Sequence, residues 1–206
     1  MAAEILRATT QHIVIVAVAV LIAAAAGIPI AIAAVRHPRW GRRFLRVIDV
    51  IQTIPSLALF GFLIPLPFIG GIGVRTAIVA LVLYSLLPIV RNTVIGITGI
   101  DPLVREAATV MGMTDRQRLL SVELPLAMPS ILAGLRVATV IAIGVATIGA
   151  AVGGGGLGTL IFRGVAMVDT KRILAGALPA AGLALLADLL FSGVEKLPAR
   201  RWGTAT

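Results

Sequence analysis

The chain has 206 residues, 59% of them hydrophobic and only 13% charged, with a mean hydropathy of +1.06 and a formal net charge of +9. A soluble domain is usually about 45–50% apolar with about a quarter of its residues charged, so this composition excludes intrinsic disorder and argues against a water-soluble globule. With no cysteine, a disulfide-stapled domain and a thiolate metal site are excluded too.

A helix needs about 20 mostly apolar residues to cross the hydrocarbon core of a bilayer. Five stretches qualify, at about 12–35, 47–69, 76–94, 126–152 and 173–194. They predict an all-α, polytopic membrane protein forming a single transmembrane domain over residues 1–206, because backbone polar groups in lipid must pair within their own segment. The first run ends in a small-residue patch, Ala23–Ala26, that resembles a signal-peptide cleavage site. Its apolar run is too long for that, and its strong positive flank follows it, so a retained helix with its N-terminus outside is expected.

The second span carries Gln52, Thr53 and Ser56 around Pro55, and the third carries Tyr84 and Ser85 before Pro88. Polar groups beside helix-bending prolines face a cavity or a neighbouring helix rather than lipid. Two readings stay open for them: a weakly polar translocation path, or interhelical hydrogen bonding. In the fourth span Pro129, Thr139 and Thr147 give a weaker signal of the same kind.

Between spans three and four, residues 99–125 form the longest polar stretch. Asp101 can cap a helix with Pro102 at its first position. That helix should run to Met111, where Gly112 can adopt positive φ and stop it. Leu103, Ala107, Val110 and Met111 then share one apolar face. Thr114 and Gln117 have the spacing of a capping box for a second helix, which Pro125 should end or kink.

Two charges fall inside spans, Arg136 and Asp188, each costing of order 2.5–3.5 kcal/mol at a helix centre. Arg136 can snorkel; Asp188 can pair with it across the bundle or bind a neighbouring subunit. His12 and His37 have no carboxylate or second histidine at ligand spacing, so no metal site is expected. Gly153–Gly158 lacks the Lys and Ser/Thr of a phosphate loop and reads as a tight outer turn.

Of the 18 Lys and Arg, twelve fall on the side holding residues 36–46, 91–118 and 196–201, and five fall opposite. The positive-inside rule therefore puts the 99–125 loop and the C-terminus in the cytoplasm. The basic residues have no aromatic interleaving, so no nucleic-acid partner is expected, and Trp40 and Trp202 read as interfacial anchors.

The run Glu106-Ala107-Ala108, then Gly112, then Val122-Glu123-Leu124-Pro125 resembles the EAA signature of ABC-importer permeases at every spacing, with Val122 in place of the more usual Ile. Residues 52–59, 86–92 and 153–158 look like osmoprotectant permeases for glycine betaine, carnitine or choline. The resemblance implies the fold of a type I importer permease in a bacterial inner membrane, and a transport subunit rather than an enzyme. Its partners would be two cytosolic ATPase subunits, a second copy or a sister permease, an extracytoplasmic substrate-binding protein and the bilayer. ATP and Mg would sit on the ATPase, with no cofactor on this chain.

In such permeases the signature loop is the coupling helix, which assigns Glu106, Ala107, Ala108, Gly112, Leu124 and Pro125 to ATPase coupling. Asp101, Glu106, Asp115 and Glu123, four of the nine acids, would then lie in the loop facing the ATPase. A methionine-type amino-acid permease is the alternative within the class, and a secondary transporter the alternative outside it. With only nine aromatics a cation–π cage is not expected, leaving substrate recognition to the binding protein.

Overall fold

The computed structural model describes residues 1–67 and 69–201, with side chains as far as Glu195. Trp202 and the side chains of the basic tail lie outside the described residues. Helices dominate and no strand occurs among the described residues: α1 (Ala2–Arg36), α2 (Pro38–Thr53), α3 (Ser56–Leu63), α4 (Val74–Thr98), α5 (Pro102–Val110), α6 (Asp115–Arg118), α7 (Leu124–Gly149), α8 (Gly158–Ala166) and α9 (Thr170–Arg201). Among the described residues, four segments are long and apolar enough to cross a membrane: α1, α4, the continuous helical run Asp115–Val152, and α9 as far as Glu195.

The predicted second span is not one straight helix. The chain breaks between Thr53 and Ser56, and α2 and α3 meet at 102°. Pro55 has no N–H to continue the ladder, and it forces Ile54 into an extended conformation (φ −71°, ψ 124°). Pro65 and Pro67 follow the end of α3 at Leu63.

Nor does Pro125 end the helix that begins at Asp115. A single π-helical turn, Leu119–Glu123, carries the chain into α7, and Leu124 N donates to Leu119 O, five residues back. Widening the helix there removes the clash a proline ring makes with the carbonyl four residues before it.

Small residues bring the long helices together. Every third or fourth residue of α7 is buried, through Ala127, Ile131, Gly134, Ala138, Ala142, Ala146 and Gly149. A Cβ on Gly134 would lie 2.8 Å from Asn92 Cβ and from the Pro88 carbonyl, and one on Gly96 would lie 2.8 Å from Ser130 Cβ. In lipid, apolar side chains gain little by leaving their solvent, so close backbone approach is what holds α4 against α7. Ile15, Val16, Ala19, Leu81, Ala142 and Ile143 close the core between α1, α4 and α7. Helix α9 packs on α7 and exposes Leu178, Leu185, Leu186, Leu189 and Leu190 along its outer side.

Candidate functional site

The loop between α4 and α7 is built by local capping chemistry. Asp101 Oδ1 accepts from Leu103 N at 2.9 Å with Pro102 opening α5. The helix closes at Met111, and Gly112 takes φ +79° with open space where a Cβ would be. Thr114 then starts α6 with a reciprocal capping box: its Oγ1 accepts from Gln117 N at 3.3 Å, and Gln117 Oε1 accepts from Thr114 N at 2.8 Å.

The apolar face of α5 has no cover among the described residues. Leu103 is 69%, Val110 87% and Met111 69% exposed, and Glu106 and Ala107 are exposed beside them. Ala108 points the other way and is buried, so it seats the helix. Leu124 and Pro125 are half-buried at the start of α7.

Glu123 is the feature that reading the sequence missed. Grouped there with the acids facing outward, it is in fact only 2% exposed. Its carboxylate gathers three guanidinium groups: Arg36 at 2.6 Å from the end of α1, Arg118 at 3.4 Å from α6, and Arg105 at 3.7 Å from α5. Arg105 also donates to the Ile97 carbonyl, and Arg118 donates to Thr109 and Asp115. One buried anion thus ties both loop helices to the end of α1. The arginines are 69 and 13 residues apart in sequence and show no periodic pattern, so only the fold brings them together.

The polar residues at the proline breaks divide. In α4, Pro88 has no N–H to offer the Tyr84 carbonyl four residues before it, and Gln52 Nε2 donates to that carbonyl at 2.7 Å. The Tyr84 hydroxyl in turn donates to the carbonyl of Ile54, freed by the break before α3. Thr53 is exposed and returns to the Val50 carbonyl, and Ser56 is half-buried at the start of α3. Ser85 is fully buried, and its Oγ has no hydrogen-bond partner among the described residues. Thr139 donates to the Leu135 carbonyl and lines an apolar groove with His12, Ile143 and Leu183, whereas Ile141, Val145 and Ile148 of α7 pack toward Tyr84. The structure therefore joins Gln52 to Tyr84, leaves Ser85 out of that link and sets Thr139 on another face.

Arg136 and Asp188 form a two-pronged ion pair across α7 and α9, with Nε–Oδ1 at 2.6 Å and a second bond at 2.9 Å, and Glu195 lies 3.4 Å from the same guanidinium. About two turns along α7 from Arg136, buried His12 contacts the Ile143 carbonyl at 3.2 Å. Gln11 Oε1 accepts from Gly156 N at 3.1 Å. Gly153, Gly155 and Gly156 all have left-handed φ, and a Cβ on Gly156 would sit 2.9 Å from His12 Nδ1, so the glycine run is a turn moulded onto α1.

Comparison with known proteins matches residues 19–202 to the family described as binding-protein-dependent transport system inner membrane component. The glycine betaine/carnitine/choline transport system permease protein OpuCD of Bacillus subtilis is 46% identical over 193 residues, covering 93% of this chain and 83% of the relative. The osmoprotectant import permease protein OsmW of Salmonella typhimurium is 45% identical, covering 91% and 88%. A chain of the MetNI methionine ABC transporter, in a structure described as inward facing, superposes with a TM-score of 0.87 at 20% identity, over 96% of this chain and 97% of that one.

Proposed function

The chain belongs to the family of binding-protein-dependent transport system inner membrane components, and from that premise we propose that it forms the translocation path of an ATP-driven importer for a compatible solute of the glycine betaine, carnitine or choline class. It is a transport component rather than an enzyme. The substrate class is supported by relatives about 45% identical over nine-tenths of the chain. The likeness to the methionine transporter bears on the fold alone.

The structural observation that carries the coupling role is the uncovered face of α5. An exposed apolar helix face on a rigid, doubly capped loop is what a partner protein needs for docking. In this reading α5 is the coupling helix. Glu106, Ala107 and the Gly112 turn meet a cytosolic ATPase subunit, and Ala108, Leu124 and Pro125 hold the loop in place.

Two such ATPases, carrying ATP and Mg, would drive two permease chains supplied by an external binding protein. The bent pair α2–α3 serves as the fifth span. The twelve-to-five distribution of basic residues puts the N-terminus outside and the α5 loop inside the cell. ATPase closure would move the loop as a rigid body, biasing a two-state bundle.

The test is ATP-dependent uptake of labelled glycine betaine by the reconstituted complex, with carnitine, choline and methionine as competitors. Competition by methionine alone would overturn the substrate class. Gly112→Pro, impossible at φ +79°, and Glu106→Arg should leave membrane insertion intact while uptake falls at least tenfold per ATP hydrolysed. Uptake equal to wild type in both would overturn the coupling assignment.

A further inference from the structure

The exposed face of α2 changes character partway along its length. Arg39, Arg42, Arg43 and Arg46 fall at helical spacings of three and four, so they form one stripe, and all four are exposed. Val47 and Val50 continue the same face and are exposed as well. The opposite side is the packed one: Gly41 lies so close to α1 that a Cβ would meet the Ala34 carbonyl, and Ile48 is buried with Ala31 and Val90.

None of the four arginines has a hydrogen bond or ion pair with another described residue. Asp49, the one acid on the helix, is engaged by Arg91 at 3.1 Å. Trp40 stacks on Phe44 at 5.0 Å between centroids and remains partly exposed beside the stripe. Arg36, Arg39, Arg42 and Trp40 also line an open concavity of about 570 Å³ where α1 turns into α2.

We propose that this arginine stripe, with Trp40, is a binding surface for the anionic phospholipid headgroups of the leaflet next to the α5 loop. The reason is the switch from arginine to valine along a single exposed face. A face meeting a partner protein in water has no need to become apolar at a fixed height. A face crossing from headgroups into hydrocarbon must do so.

The stripe spans about 10 Å of helix at 1.5 Å per residue. An inclined helix places that length within a headgroup layer of about 5–8 Å. Guanidinium groups bind phosphate through paired N–H donors, and an indole beside them suits the membrane interface. Each basic residue close to an anionic leaflet favours anionic over neutral lipid by about fivefold. The inference rests on the proposed orientation for which leaflet is involved, but its test reads no transport.

The chain has two tryptophans, so full-length Trp202→Phe protein reports from Trp40 alone. In phosphatidylcholine bilayers containing equal mole fractions of brominated phosphatidylglycerol or brominated phosphatidylcholine, the anionic lipid should quench Trp40 with at least a fivefold apparent enrichment. Raising the salt should reduce it. Replacing all four arginines with glutamine should bring the ratio close to one, and replacing them with lysine should preserve it.

If the glutamine variant loses its helical circular dichroism, the four single Arg→Gln variants decide: a graded loss of enrichment supports the surface and no loss overturns it. A ratio near one in the parent protein overturns the proposal. If that chain's glutamine variant also fails to co-purify with the ATPase subunits, the stripe is a contact for an acidic protein face instead.

Discussion

Gln52 donates its side-chain amide to the main-chain carbonyl of Tyr84, and Tyr84 returns its hydroxyl to the main-chain carbonyl of Ile54, two residues beyond Gln52. Each bond answers a vacancy made by a proline: Pro88 removes the donor the Tyr84 carbonyl would have used, and Pro55 ends the helix beneath Ile54. The broken segment α2–α3 and the proline-containing helix α4 are thereby joined by the groups their prolines set free. A carbonyl left unpaired in an apolar surrounding is expensive, and a hydrogen-bonded one is not.

Gln52→Leu should lower the stability of the detergent-solubilised protein by about 1–3 kcal/mol, the cost of an unpaired buried polar group. Tyr84→Phe should cost a similar amount. The double variant should cost less than the sum, because both bonds join the same two segments through Tyr84. Thermal unfolding curves of the four proteins check this; strictly additive losses would show that the bonds act independently.

Glu123→Gln removes the one anion among three guanidinium groups and should destabilise the chain by about 1–3 kcal/mol, since three partly buried cations are left facing one another without it. Arg36→Gln should cost less, because Arg105 and Arg118 still face the carboxylate. Hydrogen exchange of α5 and α6 should rise in Glu123→Gln ahead of exchange in α7. Unchanged exchange in the loop would mean the carboxylate does not hold it.

Asp188→Asn and Arg136→Gln should each lower the unfolding temperature, and the exchanged pair Arg136→Asp with Asp188→Arg should recover at least half of the loss. Thermal unfolding of the swap is the readout. Failure of the swap would shift the weight to the geometry of the guanidinium fork and to Glu195.

Val110→Asp should leave the permease folded, since its side chain is almost entirely exposed, but should reduce co-purification with the ATPase subunits at least tenfold. Ala108→Leu should act differently and disturb the seating of α5 itself, lowering the unfolding temperature. Equal retention of the ATPase by Val110→Asp would remove α5 from the interface.

Gly156→Ala should cost about 1–3 kcal/mol, because it puts a Cβ on a residue at φ +71° and against His12. Gly71→Ala tests backbone strain alone, since its φ is +101° with open space around it. If both variants lose equal stability, contact with α1 contributes nothing.

Much of this protein was legible in its sequence, because the bilayer imposes length and composition and helix caps are local. The apolar runs marked the helices α1, α4, α7 and α9. Asp101, Gly112 and the Thr114–Gln117 box are short-range chemistry, readable within a few residues, and they stand in the structure as that spacing predicts. A proline announces that a helix is disturbed. Whether the chain then bends by 102°, as at Pro55, or widens into a π turn, as before Pro125, depends on what neighbouring helices offer the orphaned groups.

Long-range electrostatics were the least readable. Glu123 looked like one more surface acid, and only packing brought Arg36, Arg105 and Arg118 around it. Arg136 and Asp188 could have snorkelled or met another subunit until the crossing of α7 and α9 brought them within hydrogen-bonding distance. Local spacing along the chain determined the long helices, their caps and the exposed apolar face of α5. The tertiary structure decided which charges neutralise one another, because Coulomb and hydrogen-bond energies depend on distances in space that residue numbers do not carry.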